Sequence, residues 1–256
     1  MSGSETKKPV EEIQESVQEI AKAETTSPPT RRYRTYLFQF VLITTTGAFA
    51  LLTFLVKTTP SFPIDLAITR TIQSIDFPFF DKLMIVISWP GFSPQSFLLC
   101  ASIIIIIYAL GLYWEAITAL IAAFLPALIN VLIKEYIQRP RPAVDLVDVF
   151  RILNSYSFPS GHVMFYVGFF GFLGFLAFTL MKPSWMRMAL LTIYSIFILL
   201  VGVSRIYLGQ HWASDVLGAY LLGSLILVGI IQFYRWGKGR FFIQQPVAPH
   251  DARPEE

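Results

Sequence analysis

Ser204-Arg205-Ile206-Tyr207-Leu208-Gly209-Gln210-His211-Trp212-Ala213-Ser214-Asp215 is a polar strip set between two long apolar runs. At a membrane edge a serine, an arginine, a histidine and an aspartate are costly to place without a task. His211 and Asp215 are four residues apart, so a helix that has begun by His211 puts them on one face. A carboxylate on one imidazole nitrogen fixes the tautomer and leaves the other nitrogen free to attack. Arg205 adds a permanently charged planar fork suited to phosphate oxygens. Taken by itself the strip reads equally well as a helix cap with a surface ion pair. Its surroundings decide.

Those surroundings are apolar. Of 256 residues 54% are hydrophobic and 15% aromatic, only 14% are charged, and mean hydropathy is +0.58. Soluble domains carry about 25% charged residues. Several runs approach or exceed the roughly 18 residues of a spanning helix. The sequence therefore predicts an all-α integral membrane protein with six transmembrane helices and extra short interfacial helices. A net charge of +3, with its basic residues at span ends, argues for no nucleic-acid partner. The single cysteine, Cys100, excludes an intrachain disulfide and leaves the redox compartment open.

Working outward from the strip, the spans are expected at about Tyr36–Val56, Ser96–Tyr113, Ala116–Tyr136, His162–Met181, Met188–Val203 and Trp212–Tyr234. Pro60 and Pro63 are expected to break the chain after the first span, and Pro126 to kink the third. Residues 64–94 mix apolar positions with Asp65, Arg70, Asp76, Asp81 and Lys82. They read as short interfacial helices ending at Trp89-Pro90-Gly91, with Leu83–Ser88 too short to span and packed over the bundle. Residues 1–30 are polar and read as a disordered cytoplasmic tail without a signal peptide. Residues 31–240 form the six-helix domain, and 241–256 a disordered C-terminal tail.

Six spans place the basic clusters at 31–34, 182–187 and 235–240 on one side, which the positive-inside rule makes cytoplasmic together with both termini. The other face, outside, then collects Lys134, the 139–162 loop and the opening strip. Each of these suits a phosphate. Lys134, Arg141 and Arg205 supply cations for the equatorial oxygens. Pro159-Ser160-Gly161-His162 opens a helix, whose N-terminal amides attract anions. Ser160 caps that helix or donates to an oxygen, and Gly161 lets the backbone approach closely. Two histidines fit a two-step mechanism, one attacking phosphorus and one protonating the departing oxygen. Each cluster has a plainer use alone: Lys134 and Arg141 as headgroup anchors, Ser160-Gly161 as a helix start, His162 as a hydrogen-bonded structural histidine. Their conjunction is much rarer, and of three histidines only His250 lies outside it.

The pattern Lys-x6-Arg-Pro, Pro-Ser-Gly-His and Ser-Arg-x5-His-x3-Asp resembles the three-part signature of the type 2 phosphatidic acid phosphatase family, over about residues 36–235. The resemblance implies that His211 is the nucleophile, forming a phosphohistidine, with Asp215 orienting it. It implies that His162 is the general acid and then the base for water. Lys134, Arg141, Ser160, Gly161 and Arg205 would hold the phosphate. In the tandem Arg139-Pro140-Arg141-Pro142, family spacing selects Arg141 and leaves Arg139 as a rim contact. The family works without a metal or cofactor.

The partner implied is a membrane lipid phosphate in the bilayer: phosphatidate, phosphatidylglycerol phosphate or undecaprenyl diphosphate. Tyr156, Phe158, Tyr207 and Trp212 are expected to line its access route. The compact loops resemble bacterial members, which implies the bacterial inner membrane with the active site facing outward. A lipid phosphotransferase of the same architecture, and a non-enzymatic transporter or scaffold, are the alternatives; oligomeric state is left open.

Overall fold

Apolar side chains recur around almost every face of the long segments, so the backbone must satisfy its own hydrogen bonds, and helices do this within one segment. The computed structural model describes residues 29–59 and 61–241, and among them it contains helices and no strand. The expected tails lie outside the described residues, except that the first helix begins at Pro29 and the last ends at Phe241; Pro60 also lies outside them.

In chain order the helices are α1 (Pro29–Thr58), α2 (Pro63–Gln73), α3 (Phe80–Ser88), α4 (Gln95–Ala109), α5 (Tyr113–Ile137), α6 (Gly161–Leu180), α7 (Trp185–Tyr207) and α8 (Ala213–Phe241). A 3-10 turn, Trp89–Gly91, joins α3 to α4. The chain divides into two units, Met1–Thr45 and Thr46–Glu256. The first holds the N-terminal part of α1. The second holds the remainder of α1, every other helix and all three polar motifs.

Among the described residues five helices, α1 and α5 to α8, are each long and apolar enough to cross a membrane, and α3 and α4, bent by 57° to one another, reach that length only as a pair. This corrects the expected second span. At 15 residues α4 reaches only about 22 Å, short of a hydrocarbon core of about 30 Å. It reaches the needed length only together with residues 80–91, expected as an interfacial segment. The expectation that Leu83–Ser88 packs over the bundle is met: Met84, Ile87 and Ser88 are buried, and α3 lies against α7. Pro63 opens α2 at its first turn, where its missing N–H leaves no bond unmade.

Pro126 lies inside α5 without ending it. Its ring packs on α6 at Gly168, where an added Cβ would stand 2.6 Å from the proline Cγ. Gly168 belongs to a π turn, Tyr166–Phe170, within α6. That turn sends the Tyr166 hydroxyl across to donate to the Ile87 carbonyl at 2.6 Å. Phe169, Phe170 and Phe172 are buried around it, between α5, α7 and α8. A tightly packed interior transmits small displacements, so these contacts hold the N-terminus of α6 in register with the C-terminus of α3.

Two ends of the bundle differ in chemistry. At one, Glu115 near the start of α5 is buried and accepts from Lys238 (2.6 Å) and from the Tyr234 hydroxyl (2.8 Å), both near the end of α8. The other end gathers the C-termini of α3, α5 and α7 with the N-termini of α6 and α8. There the polar clusters meet.

Candidate active site

The strip between α7 and α8 turns sharply. Gly209 adopts a positive φ of 62°, and a Cβ there would stand 2.0 Å from the Asp148 carbonyl oxygen, so both backbone and space demand glycine. The turn folds back on the end of α7: the Gln210 and His211 amides both donate to the Arg205 carbonyl, at 3.1 and 3.3 Å. His211 is thereby buried beside Arg205. Asp215 follows in the first turn of α8, with its Oδ2 3.6 Å from His211 Nδ1. That is an ion-pair distance, longer than a hydrogen bond. On the far side of the ring, His211 Nε2 lies 3.4 Å from Arg141 Nη1.

Arg141 is held mainly by backbone. Its Nε donates to the Ser155 carbonyl at 2.8 Å, Nη2 to the Ser155 hydroxyl at 3.0 Å, and Nη1 to the Gln210 carbonyl at 2.5 Å. Lys134, in the last turn of α5, donates to the Tyr156 carbonyl at 2.6 Å. One turn earlier on the same face, Asn130 donates to the Pro159 carbonyl at 2.9 Å and to Met164 Sδ at 3.3 Å. The Pro159-Ser160-Gly161 segment is thus pinned to α5. It is also pinned to α8, because the Ser160 amide donates to the Asp215 carbonyl at 3.2 Å.

His162 and Arg205 share a wall. The Phe92 ring meets His162 edge-on at 5.0 Å between centroids and lies 5.5 Å from the Arg205 guanidinium carbon. Arg205 Nη1 donates to the Ser88 hydroxyl at 3.1 Å, and Ser88 in turn bonds Ser204 at 2.6 Å. The described structure therefore brings together all eight residues singled out in the sequence: Lys134, Arg141, Ser160, Gly161, His162, Arg205, His211 and Asp215. Ser160 Oγ, His162 Nε2, Arg205 Nε and His211 Nδ1 are buried and find no hydrogen-bond partner among the described residues. Buried polar atoms left unpaired are uncommon and expensive. His211 Nδ1 faces Asp215; the other three, in a pocket lined by cations, mark a place built to receive an oxyanion.

The field in that pocket is positive. Burial first, then the charges of Arg141, Lys134 and Arg205, hold His211 well below the ordinary imidazole value. It is neutral at physiological pH, with a lone pair to offer. Arg141 is itself lowered by burial, partly offset by Asp215. No group of three or more His, Cys, Asp or Glu side chains among the described residues is placed to hold a metal ion.

Several side chains at the site are not legible as such in the sequence. Arg139, expected as a rim contact, is 1% exposed: it runs inward between two carboxylates, Asp65 at 2.8 Å and Asp215 at 2.5 Å. Asp65, Ser88, Gly91, Phe92 and Asn130 lie outside the three motifs, and sequence reading does not place them at the site. Polar residues within apolar helices are the one available signal, and only Asn130 gives it clearly. Of the aromatics expected along the access route, Phe158 and Trp212 have other contacts. Phe158 is buried and stacks on Phe49 at 6.2 Å, and the Trp212 indole donates to the Pro140 carbonyl at 3.2 Å. A cavity of about 360 Å³ runs from Gly161 and His162 between α4 and α5, walled by Cys100, Ala123, Ala127 and Phe165. Phe97, Phe124 and Val131 at its rim are exposed.

A helical membrane bundle with a buried, cationic, two-histidine pocket at one end defines a membrane phosphatase. The profile of the PAP2 superfamily matches residues 112–238. Phosphatidylglycerophosphatase B of Bacillus subtilis (strain 168) is 32% identical over 173 residues, covering 63% of this chain and 79% of that protein. The crystal structure of a transmembrane PAP2-type phosphatidylglycerolphosphate phosphatase from Bacillus subtilis superposes with a TM-score of 0.65 at 30% identity, over 76% of this chain and 96% of that one. Aquifex aeolicus LpxE shares the fold, with a TM-score of 0.56 at 22% identity over 68% of this chain and 98% of its own. The chain belongs to the PAP2 superfamily and is a hydrolase of phosphoric esters.

Proposed function

We propose that the protein is a lipid phosphatase working at the outward face of the membrane, removing phosphate from a lipid headgroup through a phosphohistidine on His211, with phosphatidylglycerol phosphate the first substrate to consider. The observation that carries this reading is the junction at His162, where the polar pocket with the unpartnered Ser160 Oγ, His162 Nε2 and Arg205 Nε meets the apolar cavity between α4 and α5. A phosphate with a hydrocarbon tail has both characters. The name of the Bacillus relative supports the choice among headgroups; phosphatidate and undecaprenyl diphosphate are the competing substrates.

His211 Nε2 faces away from Asp215, so it is the nitrogen that attacks phosphorus. Asp215, on the Nδ1 side, stabilises the positive charge that the ring acquires. Arg141, Arg205 and Lys134 surround the phosphoryl oxygens, and Ser160 Oγ with the first amides of α6 completes the cradle. As the P–O bond to the lipid breaks, His162, protonated against the negative charge of the bound phosphate, gives that proton to the departing oxygen. The resulting neutral His162 takes a proton from water, whose oxygen displaces His211 and releases inorganic phosphate.

The basic residues support an outward-facing site. Lys182, between α6 and α7, Arg187, in the first turn of α7, and Arg235, Lys238 and Arg240, late in α8, gather at the end of the bundle opposite the pocket. By the positive-inside rule that end is cytoplasmic, in a bacterial inner membrane. The test is phosphate release by purified protein from phosphatidylglycerol phosphate, phosphatidate and undecaprenyl diphosphate, each in mixed micelles. Release from at least one is expected; release from none of them, with a water-soluble aryl phosphate hydrolysed freely, would overturn the lipid assignment.

A further inference from the structure

Asp215 is fully buried, and its two oxygens accept from three hydrogen-bond donors, with His211 Nδ1 at ion-pair distance beside them. Oδ1 accepts from Arg139 Nη1 at 2.5 Å; Oδ2 accepts from the Trp212 amide at 2.8 Å and from the Ser157 hydroxyl. Arg139 does not end there. Its Nη1 also donates to the Ser214 hydroxyl at 2.7 Å, and its Nη2 donates to Asp65 Oδ2 at 2.8 Å. Asp65 closes the figure by accepting from the Ser214 amide at 2.8 Å and the Ser214 hydroxyl at 2.6 Å. The Arg139 backbone takes part too, its carbonyl accepting from the Ser157 amide at 2.8 Å. Asp65 is 2% and Arg139 1% exposed, and the guanidinium carbon sits 5.4 Å from the Phe62 ring.

Burying two carboxylates and a guanidinium costs desolvation energy that hydrophobic packing would avoid, so such a cluster is weak evidence for stability as its purpose. Its geometry suggests another. A planar fork bonded to both carboxylates fixes the rotation of each. The formal charges also balance usefully. One guanidinium beside Asp215 alone would cancel the carboxylate that His211 needs; the second carboxylate, Asp65, restores one net negative charge to the cluster. That charge faces the imidazole as it becomes cationic.

We propose that Asp65 and Arg139 are positioning residues for the reaction, an Asp65–Arg139–Asp215 relay that aims the Asp215 carboxylate at His211 and preserves its charge there. The relay rests on the reading of His211 as nucleophile with Asp215 beside it. It joins α2, far away in sequence, to the first turn of α8, and makes that small helix a part of the catalytic end.

The experiment compares Asp65→Asn, Arg139→Gln, Arg139→Lys and Asp215→Asn, singly and with the first two combined with Asp215→Asn. Readouts are kcat and KM for phosphate release in micelles, with Tm as a control for folding. Asp65→Asn and Arg139→Gln are expected to lower kcat by about 10–100-fold with KM within about twofold, as loss of a group that orients a ligand or base does. Arg139→Lys, keeping the cation and losing the fork, is expected to fall between. In the Asp215→Asn background, removing Asp65 or Arg139 is expected to add less than about threefold, because the groups act as one unit. Wild-type kcat in Asp65→Asn, or full multiplicative effects in the double variants, would overturn the relay while leaving the phosphatase reading intact. Wild-type turnover by Asp215→Asn would overturn the role of Asp215, and the relay with it. Where Arg139→Gln does not fold, Asp65→Asn and Arg139→Lys decide.

Discussion

Gly91 lies so close to His162 that a methyl group on its Cα would stand 2.4 Å from the imidazole Cδ2 and 3.0 Å from Nε2. The turn after α3 is therefore a wall of the pocket, and glycine is the residue that lets it come so near. Gly91→Ala forces the ring aside. Overpacking of this kind costs about 1–3 kcal/mol of stability, and a shift of about 1 Å in a reacting group costs roughly 10²-fold in rate. A fall in kcat of about that size, with a modest fall in Tm, is expected. Unchanged kcat would show that the turn does not set the His162 ring.

His211→Ala is expected to lose more than about 10³-fold in kcat, the scale of removing a nucleophile, while the protein still folds by Tm. Acid-labile phosphoprotein, trapped by rapid quench in the wild type, is expected to vanish with it. Turnover retained in His211→Ala would remove the nucleophile from this residue.

His162 as proton donor has a separate signature. A leaving group that departs without a proton needs no acid, so His162→Asn is expected to lose much less activity on an aryl phosphate with a strongly acidic phenol than on a lipid alkyl ester. The contrast is expected to be at least about 10-fold, within the usual reach of general acid catalysis. Equal losses on both substrates would assign the residue to binding instead.

The depressed titration of His211 has a consequence for stability. The folded protein holds this ring neutral at pH values where the unfolded chain, with an imidazole near its ordinary value of about 6.5, has begun to bind a proton. The contribution is fully present above about pH 6.5 and is lost progressively as pH falls toward the lower folded value. Between about pH 7.5 and about pH 5, Tm is expected to fall, and to fall less in His211→Asn. The same pH slope in both proteins would contradict the buried neutral ring.

Turnover is expected to survive EDTA, since the phosphoryl oxygens are met by Arg141, Arg205 and Lys134. Loss of activity on chelation, restored by Mg²⁺, would mean that these three cations do not suffice.

The long apolar segments and the spacing of the three motifs were enough to read an all-α membrane bundle and a single pocket. A spanning helix has to be apolar over its whole length and a phosphate site has to be cationic, and both demands are written in composition and spacing. Boundaries and the second span were harder, because α4 is too short to cross by itself and nothing in residues 80–91 announces that they pair with it. Asp65 and Arg139 show the limit most clearly. In the linear chain each is one more charge near a proline, and Arg139 reads as a rim residue beside the motif arginine.

The sequence by itself determined the class of fold and singled out eight residues that the structure gathers at one end of the bundle, since local patterns carry those. Tertiary structure alone decided that Asp65 from α2, Arg139 from the loop after α5 and Asp215 from α8 meet in one buried cluster, and that Gly91 and Phe92 wall His162. Those contacts join segments far apart in the chain, and they depend on how helix ends pack, which no local pattern encodes.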